Sequence, residues 1–575
     1  MVIVGINAYH ADSSAAIFVN GILIAAIEEE RFTRVKHWAG FPIQSIEFCL
    51  KEAGISIDQV EHFAIGRDPS AKLFKKMLFL LSNPKVSFGG LSERFKNRSQ
   101  VGSIENVLSS HFKIDKSHFT SKIHQVEHHR SHLASAFFAS PFEESACLSI
   151  DGSGDFSTTM IGMGRGNHIE ILDSVDFPHS LGLFYTAFTQ FLGFPHYGDE
   201  YKVMGMSPYG KPIYADKIAS LIQLTDDGLF KLNLKYFTNP ASGIIQYVKN
   251  VPVVSKMFNE NFVSLFGKAR SSNEELTQYH KDMASSVQFV TEQTLFHILN
   301  HLQRKTNSKS ICIAGGVAQN SVANGKILKN TGFEQLYLPS AGHDAGISFG
   351  AGLYVQHEKL NGKRTPIFSA YTGSRYSNEE ITEWLNAKGI SYKWYDDDTL
   401  YDVVTDCIIN GGVVGWMQGR SEFGPRALGG RSILADPRRN DAKEILNLKI
   451  KRRESFRPFA PSILKEFAQD YFEGSSDTPF MEKVLPIKLE KRALIPAVTH
   501  VDGSGRLQTV DKDISPRYHQ LINTFYKKTG VPILLNTSFN ENEPIVNSPE
   551  HAWNCFNRTN MDMLVMENII ITRNA

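Results

Sequence analysis

Cysteine is scarce in this chain. The 5 cysteines among 575 residues (Cys49, Cys147, Cys312, Cys407 and Cys555) are odd in number, widely spaced and set among apolar neighbours. That pattern argues against a disulfide framework and for buried thiols in a reducing compartment. Excess charge is missing too: 61 Lys and Arg against 60 Asp and Glu leave a formal net charge of +1. There is no global electrostatic footprint for nucleic acid or a membrane surface, so any basic site must be local. No apolar run approaches the roughly 20 residues of a membrane span. The opening MVIVGINAYH has no basic n-region, so no secretion signal is expected and the cytoplasm is the expected location. The length allows roughly two to four domains whose cores need no disulfide or structural metal for stability.

Against that plain background, the stretch from Gln125 to Asp151, QVEHHRSHLASAFFASPFEESACLSID, stands out. Leu133, Ala136 and Phe137 suit a helix, which places His128 and His132 one turn apart on one face, where two imidazoles can bind one metal ion. Residues ACLSI then read as a short buried strand, and Asp151-Gly152 follows where the chain leaves the sheet and a carboxylate can reach a ligand. Two nitrogens and one oxygen can thus converge on a cation. A solvated helix start with a charged first turn is the plainer alternative.

The first thirty or so residues read as VIVGI, a polar loop, AAIFV, an Asn20-Gly21 turn and ILIAAI, three strands in succession. The same grammar returns about 145 residues later as ACLSI, DGSGDFS, TTMIGMG, a turn at Arg165-Gly166-Asn167, and HIEILDSV. This internal repeat resembles the duplicated architecture of the actin, hexokinase and Hsp70 superfamily, in which two such loops face each other across a cleft and hold phosphates. Between the copies FPIQSIEFCLKEAG is predicted as an amphipathic helix ending near Gly54.

Further on, Lys202 lies in HYGDEYKVMGMSPYGK, read as a polar loop where a lysine can meet a phosphate or simply be solvated. ICIAGGVAQNSVANGKIL runs a short strand into Gly315-Gly316 and a helix start, which lets backbone approach a nucleotide. In LYLPSAGHDAGISFGAGLY, Asp344 is either a second oxygen ligand or the N-cap of the following helix. Asn361 to Ser377 is a polar connector at a domain boundary. From Arg420 to Arg457 there are eleven Lys or Arg and five Asp or Glu. Arg426 and Arg457 sit among Gly, Pro, Phe and Ala, which suggests partly buried guanidiniums aimed at an anion. The run is compact and has few aromatic platforms, which favours a small phosphate-bearing ligand over RNA. Arg506 falls in a Gly/Ser-rich loop. GVPILLNTSFN opens a buried strand into Asn536, Thr537, Ser538 and Asn540, groups suited to carbonyl and phosphate oxygens or to a locally bonded turn.

Taken together, HADSSAA (His10 to Ala16), EEERFTRVKH (Glu28 to His37), HHRSHLASAFF, IDGSGD, YKVMGM, AGGVAQN, GHDAG and the C-terminal blocks resemble, nearly end to end, the nodulation-protein and cephalosporin O-carbamoyltransferase family. The resemblance implies an α/β chain. A duplicated actin-like (ASKHA) N-terminal domain, similar to the tRNA threonylcarbamoyl transferases, would span residues 1–362, and a YrdC-like α/β domain residues 375–575. It implies Fe2+ or another divalent transition metal on His128, His132, Asp151 and Asp344, and a catalytic base at His10 or Asp12. It also implies nucleotide or adenylate contacts at Lys202, Gly315, Gly316 and Asn320, and carbamoyl-phosphate and ATP contacts at Arg426, Lys451, Arg457, Arg506, Asn536 and Ser538. The implied activity is ATP-dependent O-carbamoyl transfer: carbamoyl phosphate and ATP, with Mg2+, give carbamoyl adenylate, which carbamoylates a hydroxyl of a sugar or other natural product. The implied partners are carbamoyl phosphate, ATP and a small hydroxylated acceptor, with no nucleic acid and no membrane; a homodimer is compatible. The alternatives are threonylcarbamoyl transfer to tRNA and an actin-like-fold kinase, against which the His pair argues because Mg2+ prefers oxygen ligands. Ala71 to Lys122 and Ile244 to Asn273 carry no readable motif and are expected to shape the acceptor pocket.

Overall fold

The computed structural model describes residues 1–82, 104–238, 245–474 and 477–573. Parts of both expected acceptor segments, within Ala71 to Lys122 and at Ile244, lie outside the described residues. The chain forms two compact units: Met1–Asn320 with Lys326–Ile367, and Ser321–Gly325 with Phe368–Ala575.

In the first unit β1 (Val2–Asn7), β2 (Ser14–Val19) and β3 (Ile22–Glu28) form an antiparallel meander. Asn20 and Gly21 take φ of 50° and 87° at its tight turn, the left-handed pair that Asn-Gly favours. The strands β4 (His62–Ile65) and β5 (Ile123–Gln125) add in parallel, giving the order β3-β2-β1-β4-β5. A second meander follows in β6 (Glu144–Gly154), β7 (Ser157–Arg165) and β8 (His168–Asp176). Two small ribbons intervene, β9 (Ile222–Leu224) with β10 (Phe230–Leu232), and β11 (Ile245–Val248) with β12 (Val251–Val254). Then β13 (Ser310–Ala314) and β14 (Gln335–Tyr337) join in parallel, giving β14-β13-β6-β7-β8. Both sheets have the same strand order, so the sequence repeat is a duplicated fold of the actin-like class. The first strand of each copy is central and covered on both faces, which is why both read as nearly unbroken apolar runs.

Helices set the site between these sheets. The predicted helix spans Ile43–Ala53, buries Ile46, Cys49 and Leu50 on β2 and β3, and ends at Gly54 with φ 63°. Burying each such Leu or Ile is worth about 2 kcal/mol. The His128–Phe137 helix packs along the Gly346–Tyr354 helix, and a Cβ at Gly350 would lie 1.9 Å from the Ser131 carbonyl oxygen. Only a glycine lets the two backbones approach so closely.

In the second unit one sheet holds β15 (Lys393–Trp394), β16 (Val414–Met417), β17 (Arg431–Ala435), β18 (Ala460–Leu464), β19 (Lys483–Pro486), β20 (Ser504–Val510), β21 (Ile533–Ser538), β22 (Met563–Met566) and β23 (Ile569–Thr572). Its order is β15-β23-β22-β16-β17-β21-β18-β20-β19. Trp416, Leu434, Ile533 and Leu564 are completely buried in its core. The Asn378–Ala387 helix begins with a capping box between Ser377 and Glu380, satisfying two N–H groups that would otherwise be orphaned. No helix among the described residues is long and apolar enough to cross a membrane, and none of the five cysteines is joined in a disulfide.

Candidate functional site

The His128–Phe137 helix starts where it does because Glu127 accepts the Arg130 N–H at 2.9 Å, while Asp155 accepts the His128 N–H at 3.0 Å. Those caps aim His128 and His132 at two carboxylates. His128 Nε2 lies 3.1 Å from Asp151 Oδ2 and 3.7 Å from Asp344 Oδ1, and His132 Nε2 lies 3.6 Å and 3.4 Å from the same two atoms. One donor atom from each of the four side chains falls within 4.8 Å of all the others, and all four residues are buried. His129, on another face of the helix, instead meets Ser149 Oγ at 2.7 Å.

The strand carrying Asp151 is longer than the sequence suggests. Asp151 does not follow the end of a strand: β6 continues to Gly154, and its pairing with β7 shifts register between Ile150 and Gly154. That irregularity turns the carboxylate inward, as bulged strands do beside functional sites. Asp344 was open to two readings, ligand or cap; Ala345 holds the N-cap position of the next helix with no side-chain cap bond, and the Asp344 carboxylate faces the imidazoles instead.

Electrostatics bind the group together. Burial pushes His132 down, but the Asp151 and Asp344 carboxylates outweigh it and the imidazole is pushed up to about 9. Burial outweighs the same carboxylates at His128, which is held below its ordinary value. Burial raises Asp151, yet His128 and His132 hold it well below the usual carboxylate range. Asp344 is lowered as well: burial and Asp151 oppose its charge, and His10 and His132 prevail. Among the described residues, His132 Nε2 and Asp344 Oδ1 are buried without an aligned hydrogen bond. Two imidazoles, two carboxylates and unsatisfied donor atoms fit a divalent transition metal, a borderline ion that takes both nitrogen and oxygen ligands.

Both candidate bases lie beside this group. His10 Nδ1 is 2.9 Å from Asp344 Oδ2, with its ring 5.2 Å from that of His128. Asp12 points the other way, with Oδ1 2.8 Å from His37 Nδ1.

The nucleotide contacts expected in this unit land differently. Lys202 is not in a loop: it lies on a short helix, Glu200–Met206, with Nζ 2.8 Å from Asp199 and 5.3 Å from the Phe194 ring centroid. Gly315-Gly316 opens no long helix, only a turn at Gly316–Gln319 and the short Ser321–Asn324 helix. Contacts within the protein already require both glycines. A Cβ at Gly315 would meet the Ile150 carbonyl oxygen at 2.1 Å, and one at Gly316 would meet Asp151 Oδ1 at 2.6 Å, the atom to which the Gly316 N–H donates at 2.8 Å. The Asn320 amide is exchanged with Gln288 through bonds of 2.9 and 3.0 Å.

The second unit gathers the basic residues. Glu422, buried, accepts the N–H groups of Leu428, Gly430 and Arg431 at 2.7, 2.7 and 3.2 Å, folding the loop that carries Arg426. Burial and the nearby guanidiniums of Arg426, Arg453 and Arg457 hold Arg506 on β20 well below the ordinary arginine range. Its Nε has no hydrogen-bond partner among the described residues. Lys451, buried, donates to the Ser538 carbonyl and to Asn540 Oδ1 at 2.5 and 2.7 Å, and Ser538 Oγ donates to Asn540 Oδ1 at 2.8 Å. Asn536 donates to Ser462 Oγ and Gln508 Oε1 at 3.0 and 3.1 Å, while its own Oδ1 is buried without a hydrogen-bond partner among the described residues. Four guanidiniums so close repel one another, and an anion among them relieves that repulsion.

The sequence model described as Carbamoyltransferase N-terminus matches residues 2–353, and the one described as Carbamoyltransferase C-terminus matches residues 405–573. The chain belongs to the carbamoyltransferase family. This carbamoyltransferase is similar to nodulation protein NolNO of Sinorhizobium fredii, 37% identical over 99% of this chain and 80% of that protein. It is also similar to a Synechocystis protein, sll1178, described as uncharacterized, at 42% identity over 100% of this chain and 97% of that one. A solved structure with partial similarity is HypF of T. kodakarensis, 14% identical over 63% of this chain and 49% of that chain, with a TM-score of 0.28.

Several site residues of the carbamoyltransferase have little or no local signal in its sequence. His37 lay inside a quoted motif without a role, and no pattern marked Tyr197, whose hydroxyl lies 3.5 Å from Asp344 Oδ2. Glu127 and Asp155 steady the His helix, and Arg453 joins the guanidinium group. The basic excess between Arg420 and Arg457 was a signal that could have named Arg453; nothing local announced the others.

Proposed function

We propose that the carbamoyltransferase works in two half-reactions, one in each unit. In the second, carbamoyl phosphate, ATP and water give carbamoyl adenylate, phosphate and pyrophosphate. The observation that carries this reading is the concentration of guanidiniums around Arg506. Carbamoyl phosphate is a dianion and ATP carries more charge, so bringing them together needs cationic screening in a partly dry site. Arg426, Arg457 and Arg506 supply it; Lys451 and Ser538 hold the neighbouring strand end, and Asn536 offers an unused amide oxygen. Lys202, Gly315, Gly316 and Asn320 frame the adenylate in the first unit, with ATP entering as its Mg2+ complex.

Transfer then belongs to the first unit. His128, His132, Asp151 and Asp344 would hold a divalent transition metal, Fe2+ by family resemblance. When bound, such an ion supplies Lewis-acid stabilisation for charge developing on a carbonyl oxygen. The chain's own side chains do the rest: Glu127 and Asp155 fix the imidazoles, and His10 and Asp12 border the space where an alcohol would attack. The acceptor is a small hydroxylated natural product or sugar, and the reaction takes place in the cytoplasm.

Incubating the purified full chain with labelled carbamoyl phosphate, with and without ATP, tests the reading. Pyrophosphate release and a labelled adenylate that require both substrates are expected; label transfer to an alcohol without ATP would overturn the adenylate route.

A further inference from the structure

Along β20 in the second unit, Arg506 and Gln508 lie two residues apart and so share one face of the strand. Leu507, between them, is fully buried in the hydrophobic core. Gln508 is itself only 2% exposed, and a primary amide so deeply buried costs free energy unless both its ends are hydrogen-bonded. Both are. Its Nε2 donates to the Leu428 carbonyl at 2.7 Å, and its Oε1 accepts from Ser462 Oγ at 2.5 Å and from Asn536 Nδ2 at 3.1 Å. Strand register explains the reach. Ser462 of β18 stands opposite Gln508 of β20, and Ala460 of β18 opposite Asn536 of β21, so these side chains meet across three paired strands.

The Leu428 carbonyl that Gln508 holds lies two residues beyond Arg426. The Tyr371 hydroxyl donates to the same carbonyl at 2.7 Å, and Asn536 Nδ2 reaches the neighbouring Ala427 carbonyl at 3.2 Å. Glu422 takes the N–H groups of this loop, so its N–H and carbonyl groups are anchored by different side chains. Three groups assigned above to carbamoyl phosphate and ATP therefore meet at one amide. Arg506 shares its strand, Asn536 bonds to it directly, and Arg426 is tied to it through Leu428.

We infer that Gln508 is a positioning residue for adenylate formation, setting the Arg426 loop in place relative to Arg506 and Asn536; this rests on the activation reading above. It acts through these three residues and does not itself bind substrate, because both ends of its amide are already bonded within the protein. The guanidiniums need such a brace. Arg426, Arg453 and Arg457 lie close enough to Arg506 to disfavour its charge, so their own electrostatics drive them apart rather than fixing their spacing. The chemistry of the side chain is specific. A carboxylate in place of the amide has no hydrogen to give the Leu428 carbonyl, and an apolar side chain of the same length bonds to none of the three partners.

The test follows pyrophosphate release by the full-length enzyme from carbamoyl phosphate and ATP, under conditions where denaturant unfolding shows each variant to be folded. Gln508→Met and Gln508→Glu should each lower kcat/KM for carbamoyl phosphate by about 100-fold, the order of loss that a misplacement of about 1 Å produces. A double-mutant cycle separates positioning from a general structural role. In Arg426→Lys the loop no longer presents a guanidinium fork, so adding Gln508→Met should cost less than about tenfold, because residues that act through one another are not additive. No pyrophosphate release by the wild type would overturn the activation reading itself. With release observed, three results overturn the role of Gln508: near wild-type rates in both folded variants, fully additive losses in the cycle, or failure of both variants to fold, which would make the amide structural.

Discussion

His132 Nε2 and Asp344 Oδ1 lie 3.4 Å apart, both buried and neither in an aligned hydrogen bond among the described residues. Unsatisfied buried polar atoms cost roughly 1–3 kcal/mol each, so this pair stores a cost that a shared cation removes. About one divalent transition metal per chain is expected, and it should be lost in the double variant His128→Ala, His132→Ala. Elemental analysis of both proteins checks it; equal metal content would remove the ion from the site.

Arg457 belongs to the group that crowds Arg506. Arg457→Ala should reduce carbamoyl adenylate formation by at least about 100-fold, since a charged contact to phosphate contributes roughly 3 kcal/mol or more in a dry site. Transfer from chemically supplied carbamoyl adenylate should continue. Pyrophosphate release and carbamoylated product, assayed separately, distinguish the steps, and joint loss in a folded variant would contradict their separation.

Glu422 organises the Arg426 loop through three backbone N–H groups. Glu422→Ala leaves those donors buried and unpaired, so a loss of about 3 kcal/mol in stability is expected. Phosphate affinity should weaken as well, because Arg426 loses its fixed position. Denaturant unfolding and phosphate titration read the two effects; a change in neither would show that the loop is held by other contacts.

His357 is buried in the first unit, and burial holds it down to about 4. The unfolded chain, with an ordinary histidine value near 6.5, therefore binds the extra proton first. Stability from this group is present above about pH 6.5 and is lost as pH falls toward 4, on the order of 3 kcal/mol in all. His357→Gln should flatten that part of the stability curve, measured by unfolding at several pH values.

Much of the fold was legible locally. Asn20-Gly21 announced its turn and the two VIVGI-type strands the duplication, because a turn or a strand face is decided by residues within a few positions of one another. Lys202 was misread as a loop residue: Gly198 and Gly205 flank it, and two glycines so close suggest a loop, but Glu200–Met206 is held in a helix by packing on the Gln278–Thr306 helix. Tertiary contacts of this kind override weak local propensity.

The sequence alone determined which side chains could serve chemistry, and one distance among them: His128 and His132 sit one helical turn apart wherever that helix goes. Only the tertiary structure decided what they meet. Parallel pairing of β6 with β13 brings Gly316 onto Asp151, and the close packing allowed by Gly350 carries Asp344 to the imidazoles. Asp12 meets His37 across a left-handed backbone that Asn7 enforces. Spacing along a helix is set by covalent geometry and local hydrogen bonds, whereas convergence of groups on separate strands is set by how sheets pair and helices pack.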